Sequence, residues 1–163
     1  ADYSNAIYSE TTNSMRIITA QRKNGTFELL LAFHRFGSDL SKPVDNISSG
    51  GLVALIDVET GELGKAKRKT EPEKLYSNHP DSGGQIEGIR IPNWEAVREK
   101  LLQVHRCFPY YTFFAWDVVI SNSGEPLILE INRGSDLGIQ MIKPMRKEKL
   151  GVFMNEYGLL DKR

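Results

Sequence analysis

The sequence predicts an α+β domain in which a mostly antiparallel sheet packs against helices. Two observations lead there: apolar runs of strand length are joined by short Gly-containing turns, and two other stretches carry apolar residues at helical spacing. Residues 15–19 (Met-Arg-Ile-Ile-Thr) and 27–33 read as strands, and Lys23, Asn24, Gly25 and Thr26 between them supply a turn, so the pair is expected to form an antiparallel hairpin. A polar loop at 37–46 follows, and Gly50 and Gly51 lead into a strand at 52–57 that stops at the turn Glu59-Thr60-Gly61-Glu62. The stretch 65–84 is polar, contains Pro72 and Pro80, and clusters Lys65, Lys67, Arg68 and Lys69. It is expected to be a long surface loop, with strand at most at its start and a solvated or substrate-facing basic cluster. A helix starts at Pro92-Asn93, with Asn93 as N-cap and Trp94, Val97, Leu101 and Val104 facing one way. Strands at 113–120 and 127–131 follow. After Pro144 a last helix carries Leu150, Met154 and Tyr157, and Gly158 suits its C-terminal cap.

The chain of 163 residues is about one domain's worth, expected as a single domain over 1–163. Lys+Arg and Asp+Glu both number 21, so net charge points to neither nucleic acid nor an anionic membrane. The single cysteine, Cys107, excludes an intrachain disulfide and a cysteine-based zinc site, and is read as a buried small apolar group. A reducing, cytoplasmic setting is the expectation. No apolar run reaches the roughly 20 residues that span a bilayer. His34 is read as a core or edge histidine, His105 as a charge at a helix C-terminus, and Trp94 and Trp116 as core.

The chemistry concentrates in the last hairpin. If Ser123-Gly124 is its turn, Asp117 and Glu130 are directly opposite, with Cβ atoms about 5 Å apart. A four-residue loop at 122–125 gives the same register. Asn132 shares the face of Glu130, while Leu127, Leu129 and Ile131 are expected on the other side. Two facing carboxylates in an apolar hairpin repel unless something positive lies between them. Two carboxylates and an amide oxygen form a hard donor set suited to magnesium, or manganese, with phosphate oxygens and water completing the coordination. The plainer alternative is that Asp117 or Glu130 is edge-exposed or pairs with an arginine such as Arg16.

A strand bearing Asp117, a turn, and then Leu129-Glu130-Ile131-Asn132 resembles the end of the ATP-grasp fold. Upstream blocks resemble one subgroup, the sugar-transfer-associated ATP-grasp group: Asn13-Ser14-Met15-Arg16, Val44-Asp45-Asn46, Gly50-Gly51-Leu52, His79-Pro80-Asp81-Ser82-Gly83 and Ile91-Pro92-Asn93-Trp94. The resemblance implies an ATP-grasp C-terminal lobe whose Asp117, Glu130 and Asn132 hold Mg2+ (or Mn2+) on ATP. It further implies that Arg16 and Arg35 lie over the transferred phosphate, and that Asn46 with Gly50 and Gly51 meets substrate or phosphate, a simple turn being the alternative. Gln140 is expected to line the same cleft. The implied activity is ATP-dependent ligation of a small-molecule carboxylate and an amine through an acyl phosphate, in cell-surface polysaccharide or peptide modification. A nucleotide- or partner-binding fragment and a phosphotransferase acting on a hydroxyl are the competing readings. The family's preceding lobe supplies phosphate-binding lysines, and no residues ahead of Arg16 resemble it. The chain is therefore expected to be a fragment or a partial ATP-grasp unit that works with an upstream lobe.

Overall fold

The computed structural model describes residues 1–133 and 147–160. In chain order the elements are α1 (Asp2–Ile7), β1 (Met15–Gln21), β2 (Phe27–Phe36), a 3-10 turn (Ile47–Ser49), β3 (Leu52–Ile56), β4 (Leu63–Arg68), β5 (Glu71–Tyr76), α2 (Trp94–Arg106), β6 (Phe113–Ile120), β7 (Pro126–Asn132) and α3 (Lys149–Glu156). The strands form one sheet in the order β5-β4-β3-β2-β1-β6-β7, every neighbouring pair antiparallel. This is the expected α+β class. The first hairpin closes as expected: Gly25 adopts φ +85°, a conformation that favours glycine, and Arg22 N–H donates to the Thr26 carbonyl at 2.8 Å.

Alternation along the strands divides the core in two. One face buries Met15, Ile17, Ala32, Leu52, Ala54, Trp116 and Val118 against α2, whose Trp94, Val97 and Leu101 point inward at helical spacing. The opposite face buries Ile18, Leu31, Phe33, Val53 and Ala115, and Leu150 and Phe153 of α3 pack onto it. Polar ties fix α3 there: Arg22 pairs with Glu156 at 2.9 Å, and Tyr157 O–H donates to the Gln21 carbonyl at 2.9 Å. This second face carries the charged residues described below.

Several expectations change. The stretch 65–84 is not one long loop: it contains most of β4 and all of β5, which extend the sheet by a hairpin. Its polar sequence suits a sheet edge, where Leu63, Ala66 and Arg68 are buried and the residues between them are less so. Asn93 occupies the N-cap position but does not cap. It sits at φ 53°, and its Nδ2 donates to the Gly124 carbonyl at 3.0 Å, tying α2 to the last hairpin. Cys107 is exposed rather than buried. His105 sits in the last turn of α2, as expected, but is fully buried. Burial lowers its pKa, and its partners fit the neutral ring: Nε2–H donates to the Tyr111 carbonyl, and Nδ1 accepts from Thr19 Oγ, which itself accepts from Trp116 Nε1–H. Trp94, Trp116 and His34 are buried as expected.

Candidate functional site

β6 and β7 bring Asp117 and Glu130 into direct register, as expected, but by a different route. Near the turn the pairs are Ile120 with Pro126, Val119 with Leu127 and Val118 with Ile128, one residue short of the register that a two- or four-residue turn would set. The loop at 121–125 is five residues long, closed by Ser121 N–H to the Glu125 carbonyl at 2.8 Å. An irregularity between Val118 and Asp117 restores the register by leaving Leu129 as the extra residue on β7. The faces change accordingly. Pro126, Ile128 and Ile131 pair with Ile120, Val118 and Trp116 on the α2 face, while Leu127, Glu130 and Asn132 pair with Val119, Asp117 and Ala115 on the other. Leu127, Leu129 and Ile131 do not form one side of the strand.

Arg16 of β1 is paired both with Asp117 of β6 and with Phe33 of β2, so Glu130, Asp117, Arg16 and Phe33 form one row across the sheet. Arg35 lies two residues beyond Phe33 on the same strand and so on the same face. The Arg16 guanidinium grips Asp117 with two parallel bonds, Nε–H to Oδ1 and Nη2–H to Oδ2, the latter 3.0 Å. Arg35 Nη2 stands 3.4 Å from the same Oδ2. Asp117 is thus clasped by two arginines, the plainer alternative that the sequence offered. Arg35 is anchored from behind: it donates to Ser14 Oγ and lies 3.7 Å from Asp45 Oδ2, which accepts from the Ser14 N–H and O–H groups.

The result is a charged cluster in which Asp45 and Asp117 flank Arg35, Asp117 also holds Arg16, and Glu130 lies beside Asp117 on the outer strand. Three carboxylates meet two guanidiniums, which leaves one negative charge. Glu130 is exposed, and among the described residues it has no cationic partner, so that charge is unmatched at the cluster's outer end. Among the described residues no cluster of three or more His, Cys, Asp or Glu could hold a metal ion. Asp117, Glu130 and the Asn132 amide are a smaller, all-oxygen set that suits magnesium, which needs only one or two protein carboxylates. Both Asp117 oxygens face arginine nitrogens in the structure, so the set could take such an ion only with Asp117 released from Arg16.

The remaining candidates lie apart from this row. Asn46 caps the 3-10 turn, its Oδ1 accepting from Ser48 N–H at 2.9 Å. Gly50 adopts φ 103° there, and a Cβ on Gly51 would meet the Asn46 and Phe36 carbonyl oxygens at 2.9 Å. These three build a tight turn that delivers Asp45 to Arg35. Gln140 lies outside the described residues. Sequence reasoning assigned no role to Ser14 or Asp45, although an acid immediately before Asn46 was a usable signal.

A seven-stranded antiparallel sheet with helices on both faces is consistent with an ATP-grasp lobe. The chain matches the family described as sugar-transfer associated ATP-grasp over residues 2–148, and it belongs to that family. Comparison with the curated proteins and with the solved structures gives no match. Membership supports an ATP-grasp-type function and enzymatic activity in general, in a family type that binds ATP and Mg2+. Among the described residues no helix is long and apolar enough to cross a membrane.

Proposed function

We propose that this chain is the metal-binding part of an ATP-dependent carboxylate-amine ligase. A carboxylate oxygen of one substrate attacks the γ-phosphorus of ATP and ADP leaves. An amine then attacks the acyl carbon and phosphate leaves. The observation that carries the reading is the in-register pair Asp117 and Glu130, with Asn132 on the same face and Arg16 and Arg35 alongside. Asp117, Glu130 and Asn132 would hold magnesium, which when bound supplies positive charge to the β- and γ-phosphate oxygens.

The protein's own contribution is placement. Arg16 and Arg35 are planar, permanently charged donors suited to the oxygens of a transferring phosphoryl group. Ser14 and Asp45 hold Arg35 in position without occupying the row. No protein nucleophile is required, and the three histidines are built into the core as neutral groups. A role in cell-surface polysaccharide or peptide modification is supported by the family's association with sugar transfer. Cytoplasmic action on small-molecule carboxylates and amines, with an upstream lobe completing the ATP site, belongs to the same proposal.

Titration calorimetry with magnesium and ADP tests the site. The expected result is that Glu130→Gln weakens Mg-nucleotide binding at least about tenfold, the scale of one lost charge-assisted contact. Equal affinity in the variant and the parent would remove Glu130 from the site. Release of ADP only when a carboxylate and an amine are both present would separate ligation from transfer to an alcohol.

A further inference from the structure

We propose that Arg16 is a resident counter-cation for Asp117, passed to phosphate when a divalent cation and a nucleotide arrive together, so that each binds poorly without the other. The inference rests on the assignment of Asp117, Glu130 and Asn132 as the cation site. Both Asp117 oxygens already face guanidinium nitrogens: Oδ1 takes Arg16 Nε–H, and Oδ2 lies 3.0 Å from Arg16 Nη2 and 3.4 Å from Arg35 Nη2. A cation cannot share those oxygens without being pressed against two positive groups. At least one arginine has to leave.

The two arginines are not equivalent. Arg35 keeps Ser14 and Asp45 when Asp117 is withdrawn. Arg16 has no such reserve, for among the described residues Asp117 is its only hydrogen-bond and ion-pair partner. Its side chain is only 17% exposed on a central strand, so water reaches it poorly once it is released. A cation alone therefore leaves a largely buried guanidinium without a partner, which is strongly unfavourable. A phosphate oxygen pair offers the same bidentate geometry that the carboxylate gave up. Glu130, exposed and without an ion-pair partner among the described residues, gives the entering cation a first contact at the end of the row. By linkage, if phosphate on Arg16 raises cation affinity, the cation raises nucleotide affinity by the same factor.

The test measures Mn2+ binding by the loss of the free-ion paramagnetic resonance signal beyond that of protein-free Mn2+ or Mn-ADP solutions, with and without ADP, in the parent protein, Arg16→Gln and Arg16→Lys. The parent is expected to bind Mn2+ weakly alone and at least about fivefold more tightly with ADP. Arg16→Gln, with no guanidinium to displace, is expected to bind Mn2+ alone several-fold more tightly than the parent and to lose most of the ADP enhancement. Arg16→Lys keeps the charge but not the fork, and is expected to fall between the two. If Arg16→Gln does not fold, Arg16→Lys decides: tighter Mn2+ binding than the parent supports the inference. Mn2+ affinity no higher in either folded variant, with ADP coupling intact in the parent, overturns it and leaves the cation site standing. No Mn2+ binding by the parent even with ADP overturns both.

Discussion

Asp117 and Glu130 face each other, yet their side chains have different duties. Asp117 is almost buried and contacts two guanidiniums, so Asp117→Asn leaves Arg16 without its counter-charge, while Arg35 keeps Ser14 and Asp45. The expected loss is about 2–4 kcal/mol of folding stability in metal-free buffer, slightly below the cost of breaking a fully buried pair because the edges of both side chains reach water. Glu130 is exposed and unpaired among the described residues, so Glu130→Gln is expected to change stability by no more than about 0.5 kcal/mol. Urea denaturation of the two variants in chelator checks the contrast. Equal losses would mean that Glu130 has a structural partner.

At the scale of elements, the loop at 37–46 that delivers Asp45 is held by a second loop at 79–83. His79 Nε2–H donates to the Gly37 carbonyl at 2.8 Å, Asp81 Oδ2 accepts from Asp39 N–H at 2.9 Å, and the His79 ring stacks on Tyr8 with centroids 4.5 Å apart. The His79-Pro80-Asp81-Ser82-Gly83 block is therefore a clamp: it fixes the loop, the loop places Asp45, and Asp45 holds Arg35. Removing the ring should loosen the loop more than the sheet. In His79→Ala the amides of residues 37–46 are expected to exchange with solvent at least about tenfold faster, while those of β1 and β6 keep their protection. Uniform acceleration across the sheet would show a global loss of stability instead.

At the scale of the whole molecule, three histidines in separate parts of the core set the response to acid. His34 is pushed down to about 3 by burial, its Nδ1–H donating to the Arg35 carbonyl and its Nε2 accepting from the Tyr3 hydroxyl. Burial lowers His79 and His105 as well. In each ring one nitrogen donates and the other accepts, so a second proton would set donor against donor. The unfolded chain titrates its histidines near 6.5 and the folded one lower, so the unfolded state binds more protons below that value and stability falls as pH drops from 7 to 5. Each histidine contributes a slope of up to about 1.4 kcal/mol per pH unit in that window, above the range where carboxylates titrate. Midpoints of urea denaturation between pH 7 and pH 5 measure it, and a flat profile would mean that the rings are protonated in the folded protein.

The sequence by itself determined the α+β class, the first hairpin and the inward face of α2, because alternation and helical spacing are local properties that burial of one face enforces. It also pointed to the pairing of Asp117 with Glu130, but the five-residue loop and the bulge that produce that register were settled only in the folded sheet. It could not determine that β4 and β5 extend the sheet: their residues are polar enough to read as loop, and only the pairing of β4 with β3 and of β5 with β4 holds them extended. Nor could it show that Leu129 bulges out of β7, which redistributes the apolar residues of that strand between two faces. The clasp on Asp117 was likewise decided in three dimensions. Arg16, Arg35, Asp45 and Asp117 come from distant stretches of chain, and which of them neutralises which depends on strand order and on a loop clamped from elsewhere. Charge pairing acts through space, and the sheet order sets those distances.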